Sequence, residues 1–241
     1  MISFLKLIRY KNLLMVLLTM VLTKYALIGA FVERSYLSNF QFSILALSVI
    51  FITAGGYIIN DIFDIEADKI NKPQKIFIDK TISKKNAWLA YYILSFIGFL
   101  LGVLSSYKAN SYVLFLIFFL SIITLNIYSS HLKKRILIGN FTISILIILS
   151  IISIYFLKPL NNISNLSIWE LFGDSMGYSI SILIAIPYLI FSFLTTLIRE
   201  IIKDIEDVNG DLKIKAKTLP IVFGRKRANR VAFSISIILM I

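Results

Sequence analysis

Six apolar runs, each close to a bilayer's width in helical residues, divide the chain: 13–32, 41–60, 86–106, 111–130, 136–157 and 177–199. A helix needs about 20 such residues to cross the hydrocarbon core, so the pattern predicts six transmembrane helices. A seventh run begins near Val231 and reaches Ile241 after 11 residues, about half of a crossing. The spacing therefore predicts an all-α, polytopic transmembrane bundle, a single membrane-embedded domain over residues 1–241 that stops within its seventh span. The first run is too long for a signal peptide, carries Lys24 and lacks a small-residue cleavage site. Pro187 in the sixth run predicts a kink, because proline removes a helix hydrogen bond. Gly55 and Gly56 predict close helix packing.

Composition agrees with that pattern. Of the 241 residues 58% are hydrophobic and 16% charged, against about a quarter charged in soluble domains. With no cysteine and a single histidine, His131, the chain excludes disulfide scaffolds, iron–sulfur clusters, thiolate nucleophiles and Cys/His zinc sites. His131 sits in a short basic link and reads as a solvated loop residue. The net charge is +12, but the basic residues lie between apolar runs. That placement points to anionic lipid headgroups and phosphorylated substrates, and away from nucleic acid. Of the 25 Lys and Arg residues, 21 fall in the N-terminal tail and the even-numbered links. Positive charge marks the cytoplasmic side, so the N-terminus and those links are expected to face the cytoplasm of a bacterial or archaeal cell membrane.

The scarce acids carry the candidate chemistry. Eight of 13 lie in two octapeptides, DIFDIEAD at 61–68 and DIEDVNGD at 204–211. Asp61, Asp64 and Asp68 share their spacing with Asp204, Asp207 and Asp211; at about 100° per residue each set forms one helical stripe. Both stripes directly follow an even-numbered span, so both belong to the cytoplasmic end. A solvated acidic face would explain one octapeptide, but two with identical spacing in so acid-poor a chain suggest two halves of one site. Like charges on one face repel, and a divalent cation relieves that repulsion. Carboxylate oxygens suit Mg²⁺, which also takes phosphate oxygens, so facing stripes could clamp a diphosphate while Lys133, Arg199 and Lys203 neutralise the rest of its charge.

These residues resemble the UbiA superfamily of intramembrane prenyltransferases. Asn60-Asp61-x-x-Asp64-x-x-x-Asp68-x-x-Asn71-x-Pro73 matches the family's first motif. The run from Arg199 to Gly224, REIIKDIEDVNGDLKIKAKTLPIVFG, looks like the branch that makes archaeal-type ether lipids, and YSSHLKKRILIGN places Tyr128 and Lys133 at matching positions. The resemblance implies a bundle usually of nine spans, of which about six and a half are present here, around a cavity open to lipid. It implies Mg²⁺ held by Asp64, Asp68, Asp207 and Asp211 against the diphosphate of an isoprenoid donor, Asn60 touching the diphosphate, and Asp61 and Asp204 in support. Asn12, preceded by Arg9, resembles the family's N-terminal motif, with Tyr10 in place of its proline, and Lys75-Ile76 stands where members often have Arg-Pro.

The implied reaction is metal-assisted ionisation of a prenyl diphosphate, with Tyr128 the candidate aromatic face for the carbocation. A lipophilic acceptor then attacks, with geranylgeranyl transfer to geranylgeranylglyceryl phosphate ahead of an aromatic acceptor of the quinone type. Two other readings stand beside it. A CDP-alcohol phosphotransferase would need a DG pair followed by AR, which the sequence lacks. A cation transporter tends to place its ionisable groups near the midplane, whereas these sit at one end.

Overall fold

The computed structural model describes residues 2–31, 38–157 and 176–240. Helix α1 is Ile2–Leu7, and α2 is Tyr10–Leu22, continued by a π-helical turn at Thr23–Ile28. Then come α3 (Asn39–Asn71), α4 (Lys84–Lys108), α5 (Tyr112–Ser130), α6 (Ile138–Tyr155), α7 (Met176–Lys213), α8 (Leu219–Phe223) and α9 (Arg225–Met240). Among the described residues six helical segments are long and apolar enough to cross a membrane, one for each predicted run. The link 158–175 lies outside the described residues.

Local signals start the helices. Ser38 and Gln41 form a reciprocal capping box at the head of α3, the Gln41 amide donating to Ser38 Oγ at 3.1 Å. Ser83 and Ser111 accept from Asn86 and Leu114 at the heads of α4 and α5. Two helices outrun their apolar segments. At about 1.5 Å per residue, the 33 residues of α3 span roughly 50 Å, well beyond a hydrocarbon core of about 30 Å. Its last turns, and those of α7, carry the aspartate stripes beyond the apolar zone without a break in the helix. Helix α7 also runs through Pro187. The last helix starts at Arg225 and not at Val231, because its first turns are basic and hydropathy does not mark them.

Helices α2, α3, α5, α6 and α7 surround the interior, with α4 packed outside on α3 and α5, and α9 on α7. One apolar cluster joins Met20, Leu45, Ile52, Leu114, Phe118 and Ile154, and a second joins Leu7, Ile58, Ile62, Ile78 and Tyr91 near the end of α3. Leu89, Phe96, Leu120, Leu183 and Ile190 point outward, as lipid-facing side chains should. Lys24, in the middle of the first predicted span, is 3% exposed. Its Nζ donates to Asn39 Oδ1 at 2.7 Å and lies over the rings of Tyr25 and Phe42, so its charge is met at the end of the bundle opposite the aspartates.

Gly55 faces Ser95 of α4, and Gly56 faces Leu125 of α5. Helices α3 and α4 also approach closely at Gly98, whose carbonyl accepts from Ser48 Oγ at 2.7 Å. A Cβ there would lie 2.8 Å from Ile52 Cγ1 and 3.0 Å from the Ile52 backbone nitrogen. Gly98→Val is expected to cost about 1–3 kcal/mol through overpacking. A lower midpoint of thermal unfolding in detergent, with a smaller loss for Gly98→Ala, is the measurement that checks it.

Candidate active site

The end turns of α3 and α7 face one another across a chamber of about 750 Å³, and all six stripe aspartates line it. Its other walls come from α1 and α2, the turn after α3, the end of α5, the 3₁₀ turn Leu132–Lys134 and the start of α6. Two left-handed residues aim these walls: Arg9 (φ 51°) between α1 and α2, and Leu137 (φ 57°) before α6.

The two stripes match position by position, partnered at the first two and open at the last. At the first position Arg9 Nη2 donates to Asp61 Oδ1 at 2.7 Å while its guanidinium stacks 4.9 Å from the Tyr57 ring, and Asn140 Nδ2 donates to Asp204 Oδ2 at 2.9 Å. At the middle position each aspartate holds a lysine: Lys133 Nζ is 2.6 Å from Asp64 Oδ1, and Lys72 Nζ is 2.7 Å from the Asp207 carboxylate. Asn60 Nδ2 also donates to Asp64 Oδ2 at 2.7 Å. At the last position Asp68 and Asp211 have no ion pair or side-chain hydrogen bond among the described residues. Burial pulls the Lys133 ammonium below its ordinary value, with Asp64 acting in the opposite sense.

One side chain locks the stripes in register. Asn71 Nδ2 donates to the Asp207 carbonyl and its Oδ1 accepts from the Gly210 amide, both at 2.7 Å. Asn71 closes the first motif and grips the backbone of the second.

A second chamber of about 450 Å³ continues inward between the five central helices, with Val49, Ile52, Phe118, Leu146 and Ile147 among its apolar walls. Arg9, Asn12, Asn60, Tyr128, Glu200 and Lys203 border both chambers. The structure thus places Asn12, Asn60, Tyr128 and Lys203 at the junction and Lys133 inside the acidic chamber. Arg199 borders only the apolar chamber, where it donates to Glu200 at 2.7 Å. His131 caps α5, is exposed, and lines neither chamber.

Sequence reasoning passed over Arg9, Asn71, Lys72, Asn140 and Glu200 as site residues. Glu200 had a signal: it lies four residues before Asp204 on the same helical stripe. It is 6% exposed, with Lys203 Nζ 3.7 Å away in addition to Arg199.

The donor set suits a hard cation. Among the described residues no three carboxylates converge into a ready-made metal cage. Mg²⁺ does not require one, since it keeps several waters and binds through one or two carboxylates plus substrate phosphates. Asp64, Asp68, Asp207 and Asp211, two on each wall of one chamber, fit that mode.

The chain has relatives among known proteins in both sequence and fold. Digeranylgeranylglyceryl phosphate synthase of Methanosphaera stadtmanae is 32% identical over 212 residues, which is 88% of this chain and 68% of the relative. The enzyme of the same name from Sulfurisphaera tokodaii is 36% identical over 199 residues, 82% of this chain and 63% of the relative. The chain thus spans about two thirds of the length of these relatives. A solved chain from structural work on digeranylgeranylglyceryl phosphate synthase in membranes superposes with a TM-score of 0.65 at 26% identity, covering 98% of this chain and 74% of that one. An Archaeoglobus fulgidus UbiA homologue, solved bound to DMAPP and Mg²⁺, shares the fold with a TM-score of 0.67 at 17% identity, covering 98% of this chain and 75% of that one. The sequence pattern of the UbiA prenyltransferase family matches residues 16–241, which sets the phosphotransferase and transporter readings aside. An integral membrane protein by its six apolar helices, the chain belongs to the UbiA prenyltransferase family.

Proposed function

We propose that the chain transfers a prenyl group from an isoprenoid diphosphate to a lipophilic acceptor, and that the reaction is geranylgeranyl transfer to geranylgeranylglyceryl phosphate. The observation that carries the reading is the pairing of an acidic chamber with an apolar one across a shared junction. A prenyl diphosphate has the same two-part chemistry, an anionic head and a hydrocarbon tail. The names of the relatives support the acceptor.

In this reading Asp64, Asp68, Asp207 and Asp211 would hold Mg²⁺; the Archaeoglobus neighbour was solved with DMAPP and Mg²⁺ bound. When bound, Mg²⁺ supplies Lewis-acid stabilisation of the leaving diphosphate. Lys133 and Lys72 add point charges for the phosphate oxygens, and Asn60 offers its amide at the junction. The apolar chamber orients the chain and keeps water from the allylic carbon. The bond from that carbon to the diphosphate oxygen breaks, the Tyr128 ring lies beside the positive charge that develops, and the bond to the acceptor oxygen forms. The acceptor's hydroxyl proton leaves with the diphosphate. Asp61 and Asp204, held by Arg9 and Asn140, fix the first turn of each stripe.

Membranes containing the protein, given radiolabelled geranylgeranyl diphosphate, should label geranylgeranylglyceryl phosphate and not naphthoate or benzoate acceptors. Transfer only to an aromatic acceptor would overturn the ether-lipid assignment.

The same reading places the acidic chamber and the N-terminus on the cytoplasmic side of a bacterial or archaeal cell membrane, supported by the 21 Lys and Arg residues at that end. Because the chain has no cysteine, single substitutions report sidedness directly. A membrane-impermeant maleimide should label Thr81→Cys, in the exposed link after α3, only from the cytoplasmic side. Tyr107→Cys, replacing an 83% exposed side chain at the other end of α4, should be labelled only from outside.

A further inference from the structure

Each stripe keeps its middle aspartate closed with a lysine brought from another part of the chain. Lys133, from the turn before α6, reaches Asp64 of α3 at 2.6 Å, and Lys72, just past α3, reaches Asp207 of α7 at 2.7 Å. Both pairs are shielded from water: the side chains of Lys133 and Asp64 are 11% and 19% exposed, those of Lys72 and Asp207 29% and 12%. The last-position aspartates, Asp68 and Asp211, hold no such counterion among the described residues.

This arrangement sets a competition. An ammonium and a divalent cation need the same carboxylate oxygens at Asp64 and Asp207. Mg²⁺ would have to shed tightly held water to displace a hydrogen-bonded ammonium. The displaced lysine would be left desolvated and unpaired, which is strongly unfavourable. A diphosphate resolves both costs, because its oxygens accept the ammonium groups while its charge attracts the metal. Arg9 on Asp61 differs, since its guanidinium is also stacked on Tyr57 and stays in place.

We infer that Lys72 and Lys133 are exchangeable counterions that close Asp207 and Asp64 to a bare divalent cation and release them when a diphosphate takes over the ammonium groups, so that metal and diphosphate bind as one coupled event. The inference rests on the reading of this chamber as a Mg²⁺–diphosphate site and adds the order in which that site fills. By linkage, the factor by which diphosphate strengthens metal binding equals the factor by which metal strengthens diphosphate binding.

Equilibrium dialysis of the purified protein in detergent tests this with Mn²⁺ as the metal and inorganic pyrophosphate as the anion. The wild-type chain should bind Mn²⁺ weakly alone and about tenfold or more tightly with pyrophosphate, within the usual range of coupling between sites. Lys72→Met and Lys133→Met should each bind Mn²⁺ alone about tenfold more tightly than wild type and lose most of the pyrophosphate effect. Lys72→Arg and Lys133→Arg, which keep the charge, should stay near wild type. If a methionine variant fails to fold, Lys72→Gln and Lys133→Gln keep a hydrogen bond, drop the charge and read the same effect. Neutral variants that bind Mn²⁺ no more tightly than a wild-type chain with intact pyrophosphate coupling would overturn the counterion role and leave the site's assignment standing. A wild-type chain that holds no Mn²⁺ even with pyrophosphate would overturn both.

Discussion

Asp64→Asn and Asp207→Asn should each cut prenyl transfer by about a hundredfold to a thousandfold, the scale of losing one preorganised electrostatic group at a reacting centre. The substitution keeps the side chain's shape and removes its charge. Both residues face the same chamber from opposite walls, Asp64 on α3 and Asp207 on α7, so either change leaves half of a clamp. A merely structural role predicts something else. Each aspartate is paired with a lysine, and breaking a buried pair costs roughly 3–5 kcal/mol, which would lower the thermal midpoint while activity survived well below it. The discriminating measurement is the initial rate in reconstituted vesicles across a Mg²⁺ series, beside the unfolding midpoint. The clamp predicts a rate loss at temperatures where the variant is fully folded, eased in part by more Mg²⁺. Asp79→Asn is the control: Asp79 is exposed, lies outside both chambers, and has a left-handed backbone (φ 66°) that asparagine adopts readily. Its rate should stay within about twofold of wild type, as for a surface change. Normal turnover in either Asp64→Asn or Asp207→Asn would refute the paired clamp.

The spans and the two stripes were legible because each rests on a one-dimensional period. Apolar runs report crossings, and aspartates spaced three and four apart report one helical face. Partners across the bundle were not legible, because a period names the face of a helix and not its neighbour. Arg9 with Asp61, Lys72 with Asp207 and Asn140 with Asp204 lie 52, 135 and 64 residues apart. They depend on α7 folding back against α3, and on α1 turning at a left-handed Arg9, neither of which leaves a local pattern. Arg199 shows the limit of proximity in sequence. It adjoins the second motif, yet five residues before Asp204 it projects away from the stripe, and the structure gives it to Glu200 and the apolar chamber. Glu200, one residue on, returns to the stripe and borders both chambers. The apolar runs stop short of the helix ends for a related reason: hydropathy marks where hydrocarbon ends, whereas α3 and α7 stay helical beyond it and present their carboxylates to the chamber, as the aspartate spacing implied.

Asn71→Ala should reduce transfer by about a hundredfold although Asn71 carries no charge and ligates nothing in the proposed reaction. Its amide makes two hydrogen bonds to the α7 backbone, at the Asp207 carbonyl and the Gly210 amide. Losing one such bond costs about 0.5–1.5 kcal/mol net, and more when a buried group is left unsatisfied. Stability should therefore fall by about 1–3 kcal/mol, too little to unfold the bundle. Catalysis suffers more because these bonds fix how far apart the two stripes stand, and a displacement near 1 Å can cost about a hundredfold in a positioned reaction. Gly210→Ala attacks the same contact from the other helix: a Cβ there would run into the Ala67 carbonyl and the Asn71 side chain, so α3 and α7 must separate. Both variants should raise the Mg²⁺ concentration needed for half-maximal rate along with lowering kcat. A residue that only stabilised the fold would shift the unfolding midpoint and leave that Mg²⁺ dependence unchanged. Asn71→Ser, which retains a shorter hydrogen-bonding side chain, should fall between wild type and Asn71→Ala in both readouts. Matching Mg²⁺ profiles for Asn71→Ala and wild type would show that the register of the stripes is set elsewhere than at the Asn71 amide.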